Sequence, residues 1–546
     1  MLAAGDSSGT LPSAGTDRRH EAPPSALRIV AILIAFTVCL RLAHLALVAP
    51  TPLVSFHREF VDSDMWFFDQ WVQHIVAGDW VGRERFHPLA AWQLAAAPAE
   101  KWLQWYGSAP TFYKAPFYAY LLAILSLLKA PVVSVFVLQA AAAGLSAWLL
   151  FRIARGMFGE AAGLFAVALF ALYGPDIHFT TVMLRGPWIV LSTLLVTDRL
   201  LAFAGRPSTA RAGLAGLSVA AAIVVNEAMT PLALLAPLAF LSAGAARGRV
   251  LKGCAGFAAG ALAGLLPVVI RNLMVGAPPF QIAVTGSVVL AVFNSASSDP
   301  LLFSARPENF APVMDLGGAS LLETLLACAR SFSTLSDWAG FYALKAAGLV
   351  APFENPDNVN FYYAALVNPW LGLLPAYGVL LPLALVGSLL AWPARRASWL
   401  CWVPSPLVLL AAMLLTLPLS RYRAVWAIHL MPFAGLALSL GLAWARERRF
   451  ARLSGLAAAL ACVAAAQFVV QQQVFWGARR AQSLAYRPAE FVLAARMEAS
   501  AGHFAAAARE MERLAGVHPE AGVKLQALTL AAQYRDQERA SKGGGP

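Results

Sequence analysis

Long apolar segments recur along the chain of 546 residues. A helix needs about 17–25 apolar residues to cross the hydrocarbon core of a membrane, where the backbone must satisfy its own hydrogen bonds. With 59% hydrophobic and 13% charged residues, the chain is predicted to be an all-α polytopic membrane protein with about 11–13 transmembrane helices. The predicted spans are 28–49, 131–151, 161–177, 183–203, 211–226, 229–246, 250–270, 370–391, 398–419, 425–444 and 453–473.

Four parts follow from these spans. Residues 1–27 are predicted to be a disordered cytoplasmic lead, and 28–475 form the transmembrane module with outer loops 50–115 and 271–369. A small helical tail follows at 488–535, and 536–546 are predicted to be disordered. The apolar piece 116–128 is too short for a full span. We expect it to be half-inserted, and amphipathic helices to lie at the outer surface of the membrane.

The surplus of basic residues indicates orientation. The chain has 41 Lys and Arg against 29 Asp and Glu, and the cations gather in short turns such as Arg152 to Arg155, Arg206 to Arg211 and Arg446 to Arg452. All these turns fall on one side if the N-terminus is cytoplasmic and 116–128 does not fully cross, which is the positive-inside pattern. The charge therefore predicts no nucleic-acid partner. It predicts a multi-pass protein of the bacterial cytoplasmic (inner) membrane whose outer loops and tail are periplasmic.

The segment 62–80, directly after the first span, combines carboxylates with an amphipathic, tryptophan-rich pattern. Apolar residues recur at a spacing of three and four, as on one face of a helix, and tryptophans suit the lipid headgroup layer. The apolar face comprises Met65, Phe68, Val72, Ile75 and Val76, and the tryptophans are Trp66, Trp71 and Trp80. We expect a helix lying on the bilayer with Asp64 at its start. Simple helix capping is the competing interpretation of Asp62, Ser63 and Asp64.

Other polar residues lie at or near predicted span ends. Lys114, Arg271 and Arg421 are at outer boundaries, where a lipid phosphate would lie; a span-end lysine or arginine can also simply anchor or snorkel. Arg185 and Glu227 are within or beside spans, where polar groups are often functional. They could equally stabilise helix packing.

The order of these segments resembles a known family. Asp64 to Trp80, with Lys114 to Tyr118, resembles the first outer loop of integral-membrane glycosyltransferases of the C superfamily, such as protein O-mannosyltransferases and the lipid A aminoarabinose transferase. Further similarities lie at Pro267 to Gly276, at Asn294 and at Ser420 to Arg423, so the resemblance covers roughly residues 28–444. This chain departs from it by having Asp62-Ser63-Asp64 in place of a paired acidic dipeptide and Arg271-Asn272-Leu273 in place of Arg-Asn-Tyr.

The resemblance implies an enzyme that moves a hexosyl or pentosyl sugar from a polyprenyl-phosphate donor to an acceptor hydroxyl outside the cytoplasm. Asp64 would be the general base, with Asp62 as a second candidate, and Lys114, Arg271 and Arg421 would bind the donor phosphate. Arg185, Glu227 and Asn294 are further candidates. The acceptor could be a glycolipid, a polysaccharide or a protein. No cofactor is certain, and a divalent metal on the Asp-x-Asp is possible.

Two other classes of function compete with this one. A polytopic lipid or sugar transporter or flippase would also carry charges near its spans, although no repeated halves with interrupted spans are visible. A non-catalytic scaffold would leave Asp64 and Lys114 unexplained.

The tail itself has the spacing of the second half of a tetratricopeptide repeat. The residues that follow it are Gly502, Phe504, Ala507, Met511, Leu514 and Pro519. Such a tail could bind a protein, and an ordinary helical hairpin is the alternative.

Overall fold

Helices make up all the regular structure of the described residues. The computed structural model describes residues 24–61, 63–243, 247–303, 310, 313–316, 320–391, 396–475 and 478–543, and these ranges contain α- and 3₁₀-helices but no strand. Seven of their helices are long and apolar enough to cross a membrane. These are Leu27–Val48, Val133–Phe158, Gly186–Gly205, Val250–Val275, Pro369–Ala391, Ser420–Arg446 and Phe450–Val474, with shorter apolar helices between them. The predicted class, an all-α polytopic membrane protein, is confirmed.

The first part of the chain alternates membrane helices with short helices at their ends. It comprises α1 (Pro24–Val48), α2 (Phe56–Glu59), α3 (Asp64–Val76), α4 (Ala91–Ala96), α5 (Ala99–Tyr106), α6 (Phe117–Leu127), α7 (Val133–Phe158), α8 (Glu160–Leu172), α9 (Gly174–Phe179), α10 (Gly186–Gly205), α11 (Thr209–Val225), α12 (Leu232–Leu235) and α13 (Arg247–Val275). Of the lead predicted to be disordered, residues 1–23 lie outside the described residues. Its last four residues, 24–27, belong to α1.

The predicted second outer region contains helices, as expected for a loop of that length. These are α14 (Gly286–Asn294), α15 (Leu321–Arg330), α16 (Leu335–Val350) and α17 (Phe361–Val367). The transmembrane module continues with α18 (Tyr377–Ala391), α19 (Arg396–Trp402), α20 (Pro404–Leu415), α21 (Ser420–Arg446) and α22 (Phe450–Val474). The tail comprises α23 (Ala478–Ala485), α24 (Pro488–Ser500), α25 (Phe504–Val517) and α26 (Ala521–Gly543).

Four predicted spans are not single helices. The span 229–246 is broken into 3₁₀ turns and α12, and the span 370–391 is divided between a 3₁₀ helix, Pro369–Leu373, and α18. The span 398–419 is divided between α19 and α20, and the span 161–177 between α8 and α9. Each break carries proline, which has no backbone N–H and cannot continue the helical hydrogen-bond ladder. The prolines are Pro231 and Pro237, Pro375, Pro404 and Pro406, and Pro175. By contrast, α6 has 11 residues and measures about 16 Å, less than the hydrocarbon thickness.

The last helix continues beyond its predicted end. We expected disorder from residue 536, but α26 is helical to Gly543. Glu538 pairs with Lys542 one turn later at 2.6 Å, and Arg535 pairs with Glu512 of α25 at 2.6 Å. These contacts favour the helical state of the charged end, which hydropathy alone does not reveal. Residues 544–546 lie outside the described part.

The tail packs against α17 and the segment that precedes it. Phe491 of α24 is buried and meets the ring of Tyr363 of α17 edge-on, with the ring centroids 4.9 Å apart. Asn360 donates a side-chain hydrogen bond of 2.6 Å to the carbonyl oxygen of Ala485. The tail is therefore joined to the segment that precedes α17.

Close helix crossings hold α21 in the bundle. A side chain at Gly387 of α18 would overlap the carbonyl oxygen of Phe433 in α21, so the two backbones touch where a Cβ is absent. Small residues allow such approach in membrane bundles, where packing takes the place of the hydrophobic effect. Both α10 and α21 run from one end of the bundle to a basic turn, at Arg206 and at Arg446 respectively.

Candidate functional site

Asp64 lies at the first turn of α3, as the sequence predicts. The Ser63 hydroxyl caps the helix by accepting from the Trp66 backbone N–H at 3.1 Å. The Asp64 backbone N–H donates to the side-chain oxygen of Asn358 at 3.0 Å, which fixes the start of α3 against the segment before α17. The capping role belongs to Ser63, so the Asp64 carboxylate is available for other contacts.

Helix α3 is more enclosed than a helix lying on the bilayer surface. Phe68 meets Tyr118 of α6 edge-on at 5.0 Å between ring centroids, and Trp71 is 4% exposed, with its ring near Phe112 at 5.8 Å. The prediction that Trp71 lies in the headgroup layer is therefore wrong. The loop that closes before α6 covers this second face of α3, a contact that the helical period alone cannot reveal.

Three predicted site residues from distant segments meet at Asp64. Lys114 donates to one carboxylate oxygen of Asp64, and Nη1 of Arg421 lies 2.7 Å from the other. Nε of Arg421 pairs with the carboxylate of Asp357, and its Nη2 donates to the Tyr422 hydroxyl at 2.7 Å. The four charged side chains are between 13% and 26% exposed. The result is a largely buried cluster of two cations and two carboxylates.

The two carboxylates have opposite electrostatic environments. Burial raises the pKa of Asp64, but the charges of Lys114 and Arg421 outweigh it and hold this pKa well below its usual range. Burial also raises the pKa of Asp357, and Arg421 only partly offsets it. Carboxylates whose environments push their pKa values apart are typical of sites that divide chemical roles.

Arg185 and Glu227 form an ion pair beside this cluster. The guanidinium of Arg185 contacts both carboxylate oxygens of Glu227, at 2.6 and 3.0 Å. Glu227 also accepts from the backbone N–H of Ala115 at 3.1 Å, the residue after Lys114. The pair therefore positions the Lys114 segment against the start of α10, and Arg185 itself faces the site.

Two cavities meet at Asp64, Arg421 and Tyr422. The smaller one, of about 50 Å³, has walls from α9, α10 and α21, including Leu184, Arg185, Pro187, Ile189 and Val425. The larger one, of about 510 Å³, is within the range of small-molecule sites. Its walls carry aromatic rings together with polar groups, namely Trp66, Phe67, Trp92, Tyr113, Lys114 and Asp357.

Two predicted site residues are used elsewhere. Arg271 donates to the carbonyl oxygens of Val81, at 2.7 Å, and of Gly82, with its guanidinium 3.9 Å from the centre of the Phe112 ring. Asn294 accepts from the buried Lys345 at 3.0 Å and from Tyr342 at 2.9 Å. Neither residue is among the described residues that line the two cavities. Asp62 lies outside the described residues.

Sequence reasoning missed several residues of the site. Asp357 and Asn358 belong to the polar run from Asn355 to Asn360, which has the composition of an ordinary turn. Arg487, just before α24, lines the larger cavity and donates to the backbone carbonyl of Asp357. The sequence signal that could have found Asp357 is a carboxylate within the predicted outer loop 271–369 of a chain with few charged residues. Nothing local in the sequence joins that loop to the tail.

A buried anchor holds Arg421 at the site. Glu354 is 2% exposed and accepts from the Ser420 hydroxyl at 2.6 Å and from the Tyr377 backbone N–H at 3.0 Å. Its carboxylate also pairs with the fully buried Arg423 at 3.3 Å. Since Ser420 and Arg423 flank Arg421 in the first turn of α21, the anchor aligns that turn with the segment that carries Asp357.

Lys114 and Arg421 already neutralise Asp64, the described half of the Asp-x-Asp pattern. Both Asp64 oxygens pair with cations, which removes the free anionic ligands that such an ion requires. In the described ranges no three or more His, Cys, Asp or Glu side chains gather as a metal site. Asp62, the other half of the Asp-x-Asp pattern, lies outside the described residues, and no step proposed for this site passes through a metal.

Comparison with known proteins gives only distant likenesses. No protein-family signature and no curated protein matches the sequence. Among solved structures, the oligosaccharyltransferase of Archaeoglobus fulgidus in its apo form is similar with a TM-score of 0.45 and 16% identity, over 84% of this chain and 55% of that one. The AglB oligosaccharyltransferase of the same organism, in complex with an inhibitory peptide and a dolichol-phosphate, is similar with a TM-score of 0.44 and 14% identity, over 85% and 56% respectively. This chain thus spans little more than half their length. Likeness at this level assigns it no family, substrate or activity.

Proposed function

We propose that the protein is a glycosyltransferase that moves a sugar from a polyprenyl-phosphate donor to an acceptor hydroxyl at the outer face of the membrane. The observation that carries the proposal is the meeting of Asp64, Lys114 and Arg421. They come from three segments that lie far apart in the sequence and meet in the fold. A membrane bundle that only held charges at its ends would not need to bring them to one point between two cavities.

The phosphate of the donor belongs at the junction of the cavities. Lys114 and Arg421 supply fixed cations for the negative charge that grows on the leaving phosphate, and Arg185 lies on the adjoining wall. The first carbons of the prenyl chain fit the apolar walls of the smaller cavity. The larger cavity then receives the sugar and the acceptor, whose apolar ring faces suit its aromatic side chains.

The transfer step balances with the groups at this junction. The acceptor oxygen attacks the anomeric carbon, and the carbon–oxygen bond to phosphate breaks. The phosphate leaves with the electron pair next to Lys114 and Arg421. The acceptor proton passes to the Asp64 carboxylate, which acts as the general base. The sugar class is hexosyl or pentosyl, and the acceptor is a glycolipid, polysaccharide or protein of the cell envelope.

The test is the fate of a single sugar. Mass spectrometry of envelope glycolipids and glycoproteins, from cells with and without the protein, should find one class that loses one hexose or pentose. The purified protein should then release polyprenyl phosphate from a short-chain polyprenyl-phosphate sugar only when that acceptor is present. If no acceptor in the envelope loses a sugar and the donor stays intact in every acceptor fraction, the proposal is wrong.

A further inference from the structure

Both cations that the proposed function assigns to the donor phosphate are already paired with carboxylates. Lys114 and Arg421 contact opposite oxygens of Asp64, and Arg421 pairs through Nε with Asp357. Asp357 is largely buried, and its backbone carbonyl accepts a hydrogen bond from the Arg487 guanidinium. Its carboxylate is therefore brought to the guanidinium by the surrounding fold.

These pairs are less well matched than a phosphate would be. Although Nε of Arg421 is close to Asp357, its N–H has no aligned hydrogen-bond acceptor among the described residues. A phosphate offers several acceptor oxygens in a geometry that suits the planar fork of arginine. It can engage Lys114 and Arg421 together, as Asp64 does, and its further oxygens can also offer an aligned acceptor to Nε of Arg421.

We propose that the carboxylates of Asp64 and Asp357 take the place of the donor phosphate while no donor is bound. They hold the cations Lys114 and Arg421 until a polyprenyl phosphate displaces the two carboxylates. This inference rests on the proposed function and adds an order of events to it. Asp357 is a positioning residue that acts through Arg421. Donor binding comes first, and it releases Asp64 from its two cations.

The release explains how one carboxylate can serve as both partner and base. While Lys114 and Arg421 contact Asp64, its low pKa makes it a poor proton acceptor. Once a phosphate takes the cations, Asp64 regains basicity next to the acceptor. A protein without donor should therefore not activate an acceptor hydroxyl, which protects the site from unproductive proton transfer.

The experiment is a binding titration of a short-chain polyprenyl phosphate to the purified full-length protein in micelles, at fixed pH and ionic strength. Asp357→Asn removes a competing charge and leaves both cations, so the affinity should increase about tenfold. Asp357→Glu keeps the carboxylate that competes with the phosphate, so its affinity for polyprenyl phosphate should be close to that of the unmodified protein. Asp315→Asn is the matched control, because Asp315 pairs with Lys101 at the surface and should change nothing.

Each result decides between the two proposals. If polyprenyl phosphate binds the unmodified protein but no more tightly to Asp357→Asn, the substitution idea is overturned and the proposed function stands. If it does not bind the unmodified protein, the proposed function fails. Asp64→Asn should also bind polyprenyl phosphate more tightly than the unmodified protein. If Asp357→Asn does not fold, the affinity of Asp64→Asn decides whether the substitution idea holds. Inorganic phosphate, titrated in parallel, should bind more weakly than polyprenyl phosphate. Equal affinities would mean that Lys114 and Arg421 bind a soluble anion, and would overturn both the proposed function and the further inference.

Discussion

Asp64 is the residue on which the proposed chemistry depends most. Asp64→Asn keeps the size of the side chain but cannot accept the acceptor proton, so kcat should fall roughly 10²–10⁴-fold. The KM for the donor should not rise, because a competitor for Lys114 and Arg421 is lost. Transfer assays on the purified protein measure both constants, with Asp315→Asn as the control. Normal turnover in Asp64→Asn, with loss of turnover in Asp62→Asn, would identify Asp62 as the base instead.

Lys114 tests the binding of the donor phosphate. Lys114→Ala should raise the KM for a short-chain polyprenyl-phosphate sugar, whereas Lys114→Arg should retain part of the binding because the charge remains. The KM for the acceptor should change little. Lys101→Ala is the matched control, since Lys101 is half exposed, pairs with Asp315 and lines neither of the two cavities. Unchanged donor kinetics in Lys114→Ala would mean that this lysine only neutralises Asp64.

At the scale of elements, the first turn of α21 depends on Glu354. Glu354→Ala leaves Arg423 buried without its carboxylate, which should cost about 3–5 kcal/mol of folding free energy. Thermal unfolding in micelles should show a lower midpoint. Glu538→Ala, at an exposed pair on α26, should leave the midpoint unchanged.

The same change should also lower transfer in the protein that remains folded, because Arg421 lies between the anchored residues. Glu354→Gln keeps one acceptor oxygen, for Ser420 or for the Tyr377 N–H, but loses the charge, and should be intermediate in both measurements. If Glu354→Ala unfolds the protein earlier but leaves the kinetics of the folded fraction untouched, the anchor supports stability only.

The helices differ in how far the sequence predicts them. The cap at Ser63 and the start of α3 at Asp64 follow from local rules of helix initiation, and the structure has both. Pro231 and Pro404 mark helix breaks that the sequence already indicates. Hydropathy alone nevertheless predicted the spans 229–246 and 398–419 as single helices. Continuous hydrophobicity reports burial in lipid or protein and not the continuity of the hydrogen-bond ladder.

For the whole molecule, orientation remains a prediction. The site lies at the beginnings of α10 and α21, and the basic turns lie at their other ends, about 30 Å away for the 20 residues of α10. Reporter fusions after residue 60 and after residue 490 should therefore both indicate the periplasm. A cytoplasmic signal from the second fusion would mean that α6 crosses the membrane fully and that the tail faces inward.

The sequence by itself determined the class of the protein and pointed to three residues that the fold brings together. Hydropathy and helix signals are local properties, and Asp64, Lys114 and Arg421 could be chosen because each stands out within its own segment. Only the tertiary structure brought Asp64 to Asn358, 294 residues along the chain. It also placed Asp357 on Arg421 and brought Arg487 of the tail to the backbone carbonyl of Asp357. Such contacts depend on which helix faces pack together, and no local pattern of residues specifies that choice. The turn around Asp357 therefore looked ordinary until the fold enclosed it.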